Sequence, residues 1–255
     1  MNKEWQIFRT SLLFFTRIPV GGHGEWKQEY VDKATSYLPV IGLLVGGFGG
    51  LVYVGCTYIF PQTVAIVLSI VATVLLTGAF HEDGFCDVCD GFGGGYTKEQ
   101  RLIIMKDSRS GAYAVVGAAL LLLLKFSSLT SLPITSIPLV LITGHTISRT
   151  TIIWFVSMYT YARDDNQSKS KPLAKSLPIG RIIISTIAGL LTLLLLPWQP
   201  AIAGLIISII VFVIWSKYVV KRLGGYSGDC LGATQQLVEV AFYLTITAYY
   251  FNFHG

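Results

Sequence analysis

Long apolar runs dominate this chain of 255 residues and leave few folds open to it. Hydrophobic residues make up 53% of the chain and charged residues 13%, about half the charged fraction of an average soluble domain. Seven runs are of a length suited to crossing the hydrocarbon core of a bilayer. The sequence therefore predicts an all-α fold, a polytopic integral membrane helix bundle of about seven transmembrane helices in one domain, 1–255. The runs cover residues 38–60, 62–80, 112–132, 136–161, 182–197, 200–216 and 235–253.

The basic residues are confined to alternate connections between these runs. All but two of the 19 lysines and arginines lie in segment 1–37 or in the connections 81–111, 162–181 and 217–232. The other connections carry none. With the N-terminus inside, seven spans place every basic segment in the cytoplasm, which satisfies the positive-inside rule. The sequence thus predicts a multi-pass protein of the cytoplasmic (inner) membrane, with the three basic connections as cytoplasmic active-site loops.

The N-terminal segment has its own pattern. Residues 5–18 predict an interfacial amphipathic helix that turns four apolar side chains toward the membrane. No cleavable signal peptide is recognisable. The net charge of +5 suits anionic lipid headgroups, and no nucleic-acid-binding motif is present, so membrane lipid rather than nucleic acid is the expected partner. The four side chains are Trp5, Phe8, Leu12 and Phe15.

An acidic segment follows the second apolar run directly. In a helix, Asp83, Asp87 and Asp90 would lie within about 60° of one another on one side. Like charges one turn apart destabilise a helix unless a cation lies among them. Mg²⁺ is the natural occupant, because it takes oxygen ligands and bridges carboxylates to phosphates. The alternative is a solvated helix end with spare acids. The neighbouring Cys86-x-x-Cys89 pair lacks a second pair, which disfavours a structural zinc site.

Two glycine-rich segments are candidates for bringing further groups to these acids. Glycines 91–95 predict a hairpin, and Thr97 with Gln100 predicts a capping box that starts a new helix. This hairpin would fold Arg101, Lys106, Asp107 and Arg109 back toward the acids. Later in the chain, the glycines around Asp229 would let it approach the same site, although a plain turn explains them equally.

A few polar residues fall inside the predicted spans. Glu239 is costly there unless it is functional or paired, and Arg149 is a plausible structural partner for it. Glycines 42–50 of the first run predict close packing of helices through small residues.

Three separated motifs make the chain resemble the cobalamin synthase family, the adenosylcobinamide-GDP ribazoletransferases. The first is Phe14-x-Thr16-Arg17-Ile18-Pro19, with Pro39-x-x-Gly42. The second is His81-x-Asp83-Gly84-x-x-Asp87-x-x-Asp90-Gly91, followed by Arg101-Leu102-x-Ile104-Met105-Lys106-Asp107-Ser108-Arg109-x-Gly111. The third is Gly224-Gly225-x-Ser227-Gly228-Asp229-x-Leu231-Gly232-Ala233. Two positions depart from the family pattern: Glu82 stands where an apolar residue is usual, and Gln236 where an acid is common.

The resemblance implies a membrane transferase that requires Mg²⁺. It would join adenosylcobinamide-GDP to α-ribazole, or to its 5′-phosphate, with release of GMP. The product would be adenosylcobalamin or its phosphate, at the step that assembles the nucleotide loop. Whether the protein forms homo-oligomers is left open.

The residues can be assigned roles in this reaction. Lys106 and Arg109 are placed to offset charge on the leaving phosphate. His81 is a candidate base for the attacking hydroxyl, but it could equally orient Asp83 or mark the membrane edge. Arg101 would hold phosphate or only the hairpin. The expected metal ligands are Asp83, Asp87, Asp90, Asp107 and Asp229. The expected substrate-binding residues are Arg101, Ser108, Gly224, Gly225, Ser227 and Gly228.

Two other functions compete with this one. A phosphotransferase of the CDP-alcohol type would share the metal chemistry but needs an Asp-Gly-x-x-Ala-Arg pattern, which is absent after Gly84. A transporter would place polar groups near the middle of the membrane. Here the acids gather at the predicted cytoplasmic edge instead. The only polar candidates within spans are Lys125, His145, Arg149 and Glu239.

Overall fold

The computed structural model describes residues 2–21, 27–162 and 177–253, and these residues form a helical bundle. The described residues contain no β-sheet, only one isolated bridge between Tyr161 and Tyr226. The predicted all-α fold is confirmed. The helices are α1 (Lys3–Phe15), α2 (Gln28–Ala34), α3 (Leu38–Thr57), α4 (Gln62–Thr77), α5 (Phe80–Gly94), α6 (Lys98–Ile104), α7 (Ala112–Thr130), α8 (Ile137–Met158), α9 (Ile179–Leu191), α10 (Trp198–Leu223) and α11 (Gly228–Phe253).

Each of the seven apolar runs coincides with one of these helices, but fewer than seven are unambiguous spans. Within the described residues, four helical segments are long and apolar enough to cross a membrane: α2 with α3, α7, α8 and α10. The pair α4 and α5 qualifies as a fifth, although it is bent by 90°. The α9 segment is short, and α11 contains polar residues along its 26 positions.

The bundle is organised around α8, which is buried along most of its length. Glycines of α3 allow its backbone to touch that of α8. A Cβ atom on Gly42 would lie 2.5 Å from the His145 carbonyl oxygen, and one on Gly46 would lie 2.6 Å from the Ile142 Cα atom. The predicted close packing through small residues is therefore present, and it fixes α3 against the central helix.

A helix is present at the N-terminus, as predicted, but its apolar side packs against the protein and not against membrane lipid. Leu12 and Phe15 are almost fully buried in the bundle core, and Phe8 packs against it. Of the four side chains predicted to face lipid, only Trp5 is substantially exposed. The spacing of apolar residues does indicate an amphipathic helix, but the apolar side of α1 contacts protein.

The predicted cytoplasmic loops are largely helical. Residues 81–111 contain α5 and α6, and residues 217–232 comprise the end of α10, a connection at 224–227 and the start of α11. Most of connection 162–181 lies outside the described residues, including Arg163, Lys169, Lys171 and Lys175. Its last residue, Arg181, donates to Glu4 Oε1 at 2.5 Å and so ties α9 to α1.

Candidate active site

A sharp elbow between α4 and α5 positions the acidic segment. Gly78 and Ala79 both have left-handed backbone conformations, with φ of 66° and 57°. They turn the chain by 90°, so α5 does not run on in the direction of α4. The Arg17 backbone N–H donates to the Leu76 carbonyl at 2.7 Å, and the Arg17 guanidinium covers Gly78. The N-terminal segment therefore braces the elbow from which α5 starts.

The helix α5 carries the three predicted aspartates on one side, which is called the acid side here (Asp83, Asp87 and Asp90). It runs without interruption to Gly94, so the predicted hairpin at glycines 91–95 begins later than expected. The reason is that these glycines serve close packing within the helix. A Cβ on Gly91 would lie 2.4 Å from Met105 Cγ, and one on Gly93 would meet the Tyr113 ring.

Backbone contact between α5 and α11 brings Asp229 to this helix. A Cβ on Gly84 would lie 3.0 Å from both the Cα atom and the carbonyl oxygen of Asp229. On the other side of the contact, a Cβ on Gly232 would lie 3.0 Å from the His81 carbonyl oxygen. A larger residue at either position would force the facing backbone to move by a few tenths of an ångström. Asp83 and Asp87 lie one turn apart beside Gly84, so the crossing brings the backbone of a third aspartate next to theirs.

Asp90 has a structural partner of its own. Its carboxylate accepts from the backbone N–H groups of Gly111, at 2.6 Å, and Ala114, at 2.9 Å. It therefore caps α7, where an anion is favoured by free amides and by the helix dipole. The same bonds hold the segment between α6 and α7 against the acid side. That segment contains the predicted Lys106, Asp107, Ser108 and Arg109, all solvent-exposed.

Asp107 and Arg109 pair with each other. The Arg109 Nη2 atom lies 2.6 Å from Asp107 Oδ2, and Arg109 Nε also donates to the same carboxylate. The side-chain hydrogen bond from Arg109 lowers the pKa of Asp107 to about 2. A predicted metal ligand and a predicted phosphate-binding cation thus neutralise each other in this conformation. Their assigned roles stay predictions.

Arg101 is placed to hold the hairpin. It is almost fully buried, and its guanidinium carbon lies 5.6 Å from the centre of the Phe92 ring, within cation–π range. Its helix α6 begins with the predicted capping box, in which Thr97 and Gln100 exchange hydrogen bonds at 3.2 Å. Of the two roles considered for Arg101, these contacts favour packing of α6 on α5 over phosphate binding.

The second glycine segment forms the start of α11. Gly224 ends α10 with φ of 75°, and a Cβ on Gly225 would lie 2.3 Å from the Thr160 carbonyl oxygen. The buried Ser227 hydroxyl accepts from the Cys230 backbone N–H at 3.3 Å, as an N-cap residue does. It also donates to Asp229 Oδ2 at 3.3 Å. These contacts set the position of Asp229, and a Cβ on Gly228 would meet only open space.

His81 lies away from the acid side. It is 2% exposed, between the rings of Phe15 and Phe80, and within the described residues neither ring nitrogen has a hydrogen-bond partner. It borders an enclosed cavity of about 20 Å³, the size of one water molecule. This placement does not present His81 to the acidic side chains, and its role as a base stays a prediction.

The acidic residues offer the right atoms for Mg²⁺, but their side chains do not converge. Hard cations prefer carboxylate oxygens, and the Asp229 backbone contacts Gly84, which lies between Asp83 and Asp87 in the chain. Within the described ranges, however, no three carboxylate, imidazole or thiol side chains approach closely enough to hold an ion as they stand. To bind an ion together, these side chains would have to adopt other rotamers while the backbone stays in place. All four cysteines are free thiols.

A buried polar cluster was only partly anticipated from the sequence. Glu239 lies 2.7 Å from Lys125 Nζ and 2.8 Å from His145 Nδ1, so its nearest partners do not include Arg149, at 4.0 Å. Gln235 and Gln236 complete the cluster and connect it to Glu82, whose Oε1 accepts from Gln236 Nε2 at 2.9 Å. The sequence did contain a sign of these contacts, because Gln235, Gln236 and Glu239 are polar residues within an otherwise apolar run.

Comparison with known proteins shows which family the chain belongs to. Residues 7–247 match the family model described as cobalamin-5-phosphate synthase. The chain belongs to this family. Proteins called adenosylcobinamide-GDP ribazoletransferase share about two-fifths of its residues: those of Shewanella amazonensis and Vibrio cholerae are both 40% identical to it. The former alignment covers 96% of each protein; the latter covers 98% of this chain and 96% of the relative. No solved structure matches the chain.

The cobalamin-5-phosphate synthase family match includes every part of the site just described. It begins within α1, before the Arg17 brace, and ends within α11, beyond Glu239. The acid side, the Asp229 crossing and the loop held by Asp90 therefore all lie within the matched residues.

Proposed function

We propose that this chain joins adenosylcobinamide-GDP to α-ribazole, or to α-ribazole 5′-phosphate, and releases GMP. The product is adenosylcobalamin or its 5′-phosphate. The observation that carries the proposal is the match over almost the whole length to ribazoletransferases, in a chain where Arg17 of the first motif contacts the elbow before α5 and Asp229 of the third contacts α5 itself. These relatives are named for adenosylcobinamide-GDP, which supports it as the first substrate of this chain.

The reaction transfers a phosphoryl-linked group between two oxygens. A ribazole hydroxyl attacks the phosphorus attached to cobinamide, the bond from that phosphorus to the bridging oxygen breaks, and GMP leaves with that oxygen. The diphosphate is strongly anionic, so bare carboxylates would repel it. Mg²⁺, when bound, would neutralise the diphosphate and stabilise charge on the attacking and leaving oxygens.

Asp83, Asp87 and Asp229 are the residues proposed to hold this ion. Asp229 contacts Gly84 through its backbone, and Asp83 and Asp87 lie one residue before and three residues after that glycine. Asp90 accepts from the amides at the start of α7. Asp90 then contributes indirectly, because it ties the loop before α7 to the acid side.

The cations of that loop are proposed to bind phosphate. Lys106 and Arg109 are exposed on a segment that the Asp90 bonds fix at Gly111, two residues beyond Arg109. Arg109 is kept oriented by Asp107 and can exchange this partner for a phosphate oxygen, since both are bidentate anions. Ser108 lies between the two cations.

The proposed location is the cytoplasmic membrane, with the acid side and the N-terminus in the cytoplasm. The support is the distribution of basic residues along the sequence, together with the apolar helices of the described residues. In this orientation the substrates reach α5 from the cytoplasm.

The test is a direct assay with purified protein in lipid. The protein is incubated with adenosylcobinamide-GDP, α-ribazole and Mg²⁺, and the release of GMP is followed together with formation of the joined corrinoid. Parallel reactions omit α-ribazole or contain a chelator, and both should release no GMP. A folded preparation that forms neither product would refute the proposed function.

A further inference from the structure

A chain of buried hydrogen bonds runs from the centre of the bundle to α5. Glu239 accepts from Gln235 Nε2, which also donates to Ser148 Oγ at 3.0 Å. Gln236 Nε2 then donates to Gln235 Oε1, at 2.8 Å, and to Glu82 Oε1, at 2.9 Å. Glu239, Gln235, Gln236 and Glu82 are called the relay here. It ends one residue before Asp83.

The inner end of the relay is held firmly. Glu239 pairs with Lys125 of α7 and His145 of α8, and Arg149 Nη1 lies 3.0 Å from His145 Nδ1. All of these side chains are at least nine-tenths buried. Buried charges away from water are tolerated only in well-defined geometry, so this end has essentially one arrangement.

The outer end of the relay lies where α5 needs a fixed orientation. The contact of α5 with α11 includes glycine backbone at Gly84 and Gly232, which permits close approach but provides no side chain at those two positions. Glu82 bonds across this contact through its side chain. Because it precedes Asp83 by one residue, its bond to Gln236 sets the rotation of α5 about its axis and hence the direction of Asp83 and Asp87.

We propose that Gln236 and Glu82 are positioning residues, which orient the acid side of α5 against Asp229 through the relay. The inference rests on the proposed function, because the carboxylates it orients are those proposed to bind Mg²⁺. Glu82 acts through its hydrogen bond to α11 and not as a ligand. The balance of charge agrees: Glu82 and Glu239 match the two cations Lys125 and Arg149.

The test is a double-mutant cycle. Gln236→Leu and Glu82→Leu should each weaken Mn²⁺ binding, measured by electron paramagnetic resonance without substrates, by about 10-fold. The Mg²⁺ concentration for half-maximal GMP release should rise by the same factor, while kcat at saturating Mg²⁺ stays within about threefold. The double variant should be no worse than either single one, because both remove the same bond.

Two further variants test whether loss of the hydrogen bond between Gln236 and Glu82 is itself what weakens metal binding. Glu82→Gln keeps an oxygen that accepts from Gln236, so its Mn²⁺ affinity should stay within about threefold of wild type. Thr234→Val is the matched control, since it removes a 3.0 Å bond between α11 and Trp215 of α10 and leaves the bond between Gln236 and Glu82 in place. It should leave metal affinity unchanged.

Amide hydrogen exchange of α5 gives an answer independent of metal and substrate. Exchange over residues 81–88 should accelerate in Gln236→Leu and not in Thr234→Val. Unchanged exchange would overturn the relay, whatever the wild type does with adenosylcobinamide-GDP. Additive effects of the two leucine substitutions, or a Glu82→Gln variant as weak as Glu82→Leu, would overturn it as well. Wild-type protein that releases no GMP would instead count against the proposed function.

Discussion

At the scale of single residues, the aspartates divide into two groups that the sequence could not separate. Spacing in the chain correctly placed Asp83, Asp87 and Asp90 on one side of a helix. Spacing could not indicate that Asp90 would meet the free amides of α7, or that Asp107 would pair with Arg109, because both depend on how separate segments pack. The contacts of Glu82 and Gln236 were missed for the same reason.

The two groups should respond differently to substitution by asparagine. We expect Asp83→Asn and Asp87→Asn to reduce GMP release by about 100-fold or more with little change in thermal stability, because they remove a charge at the reacting centre. Asp90→Asn keeps one oxygen for the α7 amides, so it should retain activity and lose about 1 kcal/mol of stability. Equal activity losses without any loss of stability in the third variant would contradict this division.

The pair of Asp107 and Arg109 makes a prediction about pH. The pKa of Asp107, about 2, lies below its unfolded value of about 3.9. The stabilisation it provides is therefore complete above the unfolded value and lost as the pH falls toward 2. Arg109→Leu should return the pKa of Asp107 toward about 4, measured by carboxyl NMR of labelled protein. Between about pH 5 and 8 this group should contribute no change in activity.

At the scale of helices, hydropathy predicted where the seven apolar helices lie but not how they bend or what they face, and it gave no sign of α2. The elbow at Gly78 and Ala79 was hidden because an apolar run continues through it. The early start of α11 was hidden because glycines and a lone aspartate are typical of a turn. The amphipathic α1 was assigned to lipid because its sequence does not distinguish a protein surface from a membrane.

Substitutions at the two residues of the elbow should have opposite effects on the stability of the protein. Gly78→Ala places a Cβ 2.2 Å from Arg17 Nε in a left-handed conformation, so we expect a loss of about 2 kcal/mol or more. Ala79→Gly relieves a left-handed alanine and should stabilise the protein by about 1 kcal/mol. Thermal unfolding in detergent measures both. Similar destabilisation by both variants would argue against backbone strain as the cause.

The crossing of α5 and α11 depends on Gly84. We expect Gly84→Ala to cost about 1–3 kcal/mol and most of the activity, because its Cβ would push the Asp229 backbone away. Gly55→Ala is a matched control on an exposed side of α3, where a Cβ meets nothing within 4 Å. It should be neutral or slightly stabilising. Wild-type GMP release by Gly84→Ala would show that this contact does not position the site.

At the scale of the whole molecule, four helices converge on one buried set of charges. The two cations Lys125 and Arg149 share the bundle interior with Glu239, and α5 contributes Glu82 at its edge. The sequence predicted only a pairing of Glu239 with Arg149, and it gave no sign that Lys125, His145 and Glu82 would join them. Their association follows from tertiary packing, in which each helix turns its polar residues away from lipid.

Loss of the central acid should affect the fold as a whole. Glu239→Gln leaves two buried cations without their nearest anion, and we expect a loss of about 3–5 kcal/mol, seen as a lower thermal midpoint and a lower yield in the membrane. Lys217→Met, which removes an exposed charge near the end of α10, should change neither. A normal midpoint for Glu239→Gln would mean that water reaches the cluster.

The right-angle turn before α5 determines how the substrates gain access to this helix. If α4 crosses the bilayer along its normal, the 90° bend would lay α5 parallel to the membrane surface, with residues 81–94 at nearly one depth. A helix in this orientation lies at the interface between the hydrocarbon core and the aqueous phase. In the proposed orientation, adenosylcobinamide-GDP and α-ribazole would both reach α5 from the aqueous side, and neither would have to enter the hydrocarbon core.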